Sequence, residues 1–139
     1  MVTLQELIGK TPLEQIPESH QNNLNILLQR INIIRKEYNK SMSVTSGYRS
    51  EADHLRIYTE KAKKECKPFD KSKVPMGSQH LRGAAVDISD PNKELQSWCK
   101  ENVKLLESAE LWMEDFSATP NWCHFQIFAP KSGNRFFKP

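Results

Sequence analysis

Between Ile16 and Tyr38 apolar residues recur at three- and four-residue steps: Leu24, Leu27, Leu28, Ile31, Ile34 and Tyr38. Asn25, Gln29, Arg30, Asn32, Arg35 and Lys36 fall between them. That period is the mark of an amphipathic helix with one buried face. Pro17 suits its first turn, where a missing N–H costs nothing. After Tyr38 the pattern changes. Met42–Thr45 reads as a short strand ended by Gly47. Ser50 then opens a second helix as its N-cap, with Asp53 at the capping-box position, and this helix is predicted to run toward Cys66 and to break before Pro68. Residues 67–77, with Pro68, Pro75 and the lysines among them, read as an exposed loop. Ala84–Ile88 is a short apolar strand. Asp90-Pro91-Asn92 is predicted to start a third helix that passes through Leu95, Trp98, Cys99, Val103 and Leu106. Leu111–Met113 and Trp122–Phe128 read as two closing strands, and Pro130–Pro139 as a basic coil pinned to the body by Phe136 and Phe137.

This order predicts an α+β domain with a small, mainly antiparallel sheet flanked by helices. The 139 residues fit one such domain. Its expected parts are an N-terminal helical part (1–41), a motif-bearing core (42–128) and a tail (129–139).

The chemistry lies in the middle of the chain. Asp87 sits inside the apolar run Ala84–Ile88, where an ionised carboxylate is costly unless it is paired or bound to a metal. His80 precedes it by seven residues, and Gly83 lets the backbone turn so that the two can meet. In Trp122–Phe128, strand alternation sends Trp122, His124 and Gln126 to one face and Cys123, Phe125 and Ile127 to the other, toward an apolar layer. Imidazole and carboxylate donors suit zinc. Two histidines and one carboxylate leave a fourth position open, which is the pattern of a catalytic site. A metal so held lowers the pKa of bound water to about 7 and polarises a carbonyl, as amide hydrolysis requires. His20 and His54 have no partners at ligand spacing and read as surface residues. Cys66, Cys99 and Cys123 show no regular spacing, so no disulfide framework is expected, and Cys123 reads as a core residue.

Three segments carry a resemblance: Ser46-Gly47-Tyr48-Arg49-Ser50, then Ser78-x-His80-x-x-Gly83-x-Ala85-x-Asp87, then Trp122-x-His124. Together they resemble the zinc D-Ala-D-Ala carboxypeptidases and L-Ala-D-Glu endopeptidases, which include VanX- and VanY-like enzymes and phage endolysins, and whose fold the hedgehog signalling domain shares. The stretch from Trp112 to His124, with Ser132-Gly133-Asn134-Arg135 after it, is most similar to the phage and prophage members. The resemblance implies that His80, Asp87 and His124 bind one zinc ion. It implies that Arg49 stabilises an oxyanion or holds a substrate carboxylate, and that Ser78 lies at the substrate edge; Trp122, on the strand face of His124, is a further candidate for substrate binding. The implied substrate is a peptidoglycan stem peptide.

One position departs from the family. Many members carry Glu or Asp three residues before the final histidine as general base; here it is Asn121. The acidic candidates upstream are Glu114 and Asp115. Glu114 is preferred, because it shares strand parity with Trp112 and reaches further. Asn121 also keeps open a second reading, a non-catalytic zinc-containing wall-binding or phage structural module. Plainer roles stand beside the functional ones. Arg49 would serve as an ion-pair partner for Glu51 or Asp53, Ser78 as a loop cap, and Glu114 and Asp115 as solvated charges.

The net charge of +3 favours anionic polymers mildly but is too small to argue for nucleic acid. The lysines from Lys61 to Lys73 read first as a solvated helix face and loop, and second as a wall-polymer contact. The N-terminus lacks a basic segment followed by an apolar run, and no stretch is long enough to span a bilayer. The expectation is a monomer made in the cytoplasm without a signal peptide, acting on the wall after release or from a virion, with no nucleic-acid partner and no membrane insertion.

Overall fold

The helix read from the three- and four-residue spacing is the longest in the computed structural model, which describes all 139 residues: α2, Glu18–Tyr38. Pro17 stands one place earlier than expected, as the N-cap. Without a capping side chain there, Gln21 Nε2 holds the entry by donating to the Ile16 carbonyl at 2.8 Å. Leu24, Leu27, Ile31 and Ile34 are fully buried, as the spacing predicts. A short helix, α1 (Leu4–Ile8), precedes it and carries a complete capping box between Thr3 and Glu6.

Five strands form one sheet in the order β1-β2-β4-β3-β5. These are β1 Val44–Ser46, β2 Ala85–Ser89, β3 Trp112–Glu114, β4 Trp122–Gln126 and β5 Phe136–Phe137. All neighbours are antiparallel except β3 and β5, so the predicted α+β class with a mainly antiparallel sheet holds. On one face Val86, Ile88, Met113, Cys123 and Phe125 pack into the same core as α2. Burial and the nearby Cys99 and Asp90 push the Cys123 thiol well above its ordinary pKa, so it is an inert core group, as its parity suggests.

Two predicted elements and one residue differ from expectation. The third helix does not begin at Asp90 and is not continuous. Lys93 is left-handed (φ 60°), and Asp90 instead accepts from the backbone N–H groups of Leu95 and Gln96 at 3.0 and 2.9 Å. The helix so started, α4 (Glu94–Glu101), ends where Asn102 folds its side-chain amide back onto the Trp98 carbonyl at 2.8 Å. A separate α5 (Val103–Ala109) follows. The tail is not coil throughout, since Phe136–Phe137 joins the sheet beside β3. Arg135 fixes it by donating to the Leu111 carbonyl at 2.9 Å and stacking 4.5 Å over Trp112. His54, read from sequence as a surface residue, is fully buried on α3 (Glu51–Lys64), with Nε2 2.9 Å from the Pro75 carbonyl. Its bond runs to a loop carbonyl that no sequence spacing marks as a partner. Ser50 caps α3 as predicted, accepting from the Asp53 N–H.

Two glycines are fixed by close approach. A Cβ at Gly47 would lie 2.1 Å from the Leu7 carbonyl oxygen, to which the Tyr48 N–H donates at 2.7 Å. Gly83 is left-handed (φ 71°) and ends the 3₁₀ turn Gln79–Arg82. A Cβ there would lie 2.8 Å from both the His20 carbonyl oxygen and Leu24 Cγ.

Candidate metal centre and cleft

Antiparallel pairing of β2 and β4 places Asp87 directly opposite His124, and such partners project from the same face. On the other side of β4, Trp112 faces Gln126 and Met113 faces Phe125. Continuing that register puts Glu114 opposite His124. Asp87, His124 and Glu114 thus form a row across three adjacent strands. The 3₁₀ turn that ends at Gly83 swings His80 over the same row.

The distances within this group are short. Asp87 Oδ1 is 2.9 Å from His124 Nδ1, and Asp87 Oδ2 is 3.3 Å from His80 Nε2. One donor atom from each of the three residues lies within 4.8 Å of the others. Ligands at about 2.0–2.1 Å around tetrahedral zinc stand roughly 3.3 Å apart, so a small divalent ion fits among these atoms. Burial alone would raise the Asp87 pKa. Hydrogen bonds and charge from His124 and His80 outweigh it and hold the carboxyl well below its usual range.

The outer partners decide which nitrogens face the gap between the three residues. His80 Nδ1 lies 2.8 Å from the Gly47 carbonyl, which only accepts, so Nδ1 carries the proton and Nε2 keeps its lone pair. The second case runs through Gln126, for which sequence gave the right face but no role. Gln126 Nε2 donates to the Phe128 carbonyl at 2.8 Å, which turns its Oε1 toward His124 Nε2, also at 2.8 Å. That oxygen takes the Nε2 proton, and Nδ1 is left as the atom facing Asp87. Alternation two residues beyond His124 was the only signal for Gln126.

Above this floor opens a cleft of about 550 Å³ lined by, among others, Arg49, Ser78, Glu114, Trp122 and Phe137. Glu114 Oε1 is 3.9 Å from His124 Nε2. Apart from Asp87 it is the only side-chain carboxylate lining the cleft. Asp115, the other acidic candidate, is not brought to the cleft. Its carboxylate accepts from the N–H and hydroxyl of Ser117 at 3.0 and 2.6 Å, and these bonds hold its pKa below the usual range. Asn121 is exposed and lines no part of the cleft; its backbone carbonyl accepts from the Asp90 N–H. Arg49 is braced by Ser46 Oγ at 3.1 Å, and its Nη2 lies 4.0 Å from Asp87 Oδ2. It makes no ion pair with Glu51 or Asp53. Ser78 Oγ accepts from the His80 N–H at 3.3 Å, the capping role, while its side of the loop also lines the cleft. The tail, read from sequence only as pinned, supplies Phe137 and Lys131 to the cleft wall.

Residues 18–126 match the D-alanyl-D-alanine carboxypeptidase family typified by VanY. The chain belongs to the VanY family. The match spans α2 through the end of β4, and so includes every element that carries His80, Asp87, Glu114 and His124. It makes the protein a peptidase of the D-Ala-D-Ala carboxypeptidase type, with the bacterial wall as the source of substrate. No curated protein and no solved structure matches the chain. No helix of this VanY-family member is long and apolar enough to cross a membrane.

Proposed function

We propose that this protein is a zinc-dependent peptidase that trims peptidoglycan stem peptides, with His80 Nε2, Asp87 and His124 Nδ1 as the metal ligands. The observation that carries the reading is the single row of Asp87, His124 and Glu114 at the bottom of a cleft that also holds Arg49. Zinc bound there supplies Lewis-acid polarisation of the scissile carbonyl and makes water nucleophilic near neutral pH. The chain's own residues do the rest. Glu114 accepts the proton of the attacking water and passes it to the leaving amine, so that the C–N bond breaks and the water oxygen stays on the carbonyl carbon. Arg49, half-buried and braced by Ser46, offers N–H donors to a substrate carboxylate or to charge developing on the carbonyl oxygen. Ser78 and Trp122 border the path of the peptide. The non-catalytic alternative drew on Asn121, whose exposed corner bears on no part of this cleft.

The test is mass spectrometry of muropeptides from purified sacculi, digested by protein as prepared, by chelated protein, and by chelated protein with zinc restored. The expected outcome is loss of terminal alanine in the first and third digests only. Equal digestion by the chelated protein overturns the metal requirement, and no cleaved stem peptide in any digest overturns the peptidase.

Metal uptake should also be linked to pH. Burial pulls the His124 pKa down, but the hydrogen bond that Asp87 accepts from it and the charges of Glu114 and Asp87 outweigh it, so His124 holds its proton above the ordinary value of 6.5. Zinc needs that nitrogen bare. Binding therefore releases protons at and below the raised His124 value and weakens as the pH falls through it, which calorimetry in buffers of different ionisation enthalpy will measure. In the metal-free protein the sign is opposite. The His124–Asp87 pair stabilises fully below 6.5 and is lost as pH rises through the raised His124 value. Asp87, whose ordinary value is 3.8, contributes above that pH and loses its contribution as pH falls through its depressed one.

A further inference from the structure

A second cavity, of about 390 Å³, lies beside the cleft at the end of α3 and in the loop after it. Tyr58 lines both. Its floor is apolar, from Tyr58, Ala62, Pro68, Phe69 and Val74, and Phe69 is 42% exposed. Lys61, Lys67 and Lys73 line it together with Glu65 and Asp70. Lys63, Lys64 and Lys71 stand in the same segment, so positions 61 to 73 carry a local charge of +4, while the rest of the chain sums to −1. Glu65 pairs with Lys67, at 3.7 Å, and Asp70 accepts from the N–H and hydroxyl of Ser72; both acids keep their charge and are outnumbered in the segment by six lysines. The other five lysines have no ion-pair partner; Lys61 leans 5.8 Å over the Tyr58 ring.

We propose that this basic cavity is an anchoring site for a phosphodiester-linked wall polymer, which holds the enzyme on the wall while the adjoining cleft works on the stem peptide. The inference rests on the wall-peptidase reading for its setting. A single small carboxylate would need one cation, best a planar guanidinium that pairs with it bidentately, and the cleft already has Arg49. Here every cation is a lysine, a compact charge on a flexible stem that follows a repeating, mobile polyanion as its register shifts. The exposed Phe69 and the aliphatic lining offer contact to the polyol or sugar between phosphates.

The test is co-sedimentation of the zinc-chelated full chain with purified sacculi. The sacculi are used untreated and after hydrofluoric acid extraction, which removes phosphodiester polymers and leaves the stem-peptide carboxylates. Binding to soluble poly(glycerol phosphate) is measured in parallel. Extraction is expected to weaken binding at least tenfold. The triple variant Lys61→Gln/Lys71→Gln/Lys73→Gln should bind both sacculi as weakly as wild type binds the extracted ones, and the arginine triple should retain binding. Both variants should hydrolyse a soluble stem peptide as wild type does. Equal wild-type binding to treated and untreated walls, unchanged binding of the glutamine triple, or equal affinity for an RNA homopolymer or anionic lipid vesicles would each overturn the proposal. Because sedimentation is read without turnover, absence of hydrolysis by wild type would count against the peptidase reading alone.

Discussion

Asp87→Ala is expected to remove zinc binding altogether and to lower kcat/KM for a stem peptide by at least ~10³-fold, the several kcal/mol of transition-state stabilisation that a Lewis acid contributes. Asp87 is the member of the site that touches both histidines, at 2.9 and 3.3 Å. Without it, two neutral imidazoles remain, and they neither offset the ion's charge nor close three sides of a tetrahedron. The loss has a signature independent of turnover. Zinc at a hundred times its Kd stabilises a protein that binds it only when folded by about 2.7 kcal/mol. For a domain of this size that amounts to roughly 10 °C in Tm. Wild type should show that rise and Asp87→Ala none. A variant that keeps both the rise and the activity would show that the metal sits elsewhere.

Glu114→Gln should behave in the opposite way. The amide matches the carboxylate in shape, and Glu114 Oε1 approaches only the far nitrogen of His124, at 3.9 Å. Zinc stoichiometry and the zinc-induced rise in Tm should therefore be unchanged. What is lost is a group able to take and return a proton, so kcat should fall by about 10²–10⁴-fold with KM little altered. Asp115→Asn is the control. It weakens a turn built on Ser117 and should leave kcat within about twofold. If Asp115→Asn loses turnover and Glu114→Gln does not, the base has been misassigned.

These two experiments turn on residues of very different visibility in the sequence. Asp87 was legible because a lone carboxylate inside Ala84–Ile88 demands a partner, and because His80 and Gly83 stand at a spacing that supplies one. His124 was legible from alternation on β4. Glu114 was recoverable by parity alone, because β3 is regular. Gln126 was not recoverable as a positioning group. Its effect depends on the Phe128 carbonyl orienting its amide, and nothing in a linear pattern reports where a carbonyl points. The same limit accounts for His54, whose partner is the carbonyl of Pro75. The break of the third helix at Asn102 was hidden because the apolar spacing runs straight through it, from Leu95 to Leu106. Only the side-chain amide folding back onto Trp98 ends the turn. The tail's strand was hidden for another reason: Phe136–Phe137 is too short to show a period, and it becomes a strand only because β3 offers it an edge.

Gly47 joins two parts of the molecule that the domain description kept apart. Its Cα is pressed against the Leu7 carbonyl of α1, and its own carbonyl takes the His80 Nδ1 proton. The first eight residues lie outside the family match and far along the chain from the cleft, yet Leu7 among them backs the Gly47 carbonyl that fixes the His80 ring. The working unit of this peptidase is therefore longer than the stretch that identifies it. A version trimmed to residues 18–126 would keep every catalytic group proposed here, yet lose both Leu7 behind Gly47 and the Phe128 carbonyl that orients Gln126 against His124.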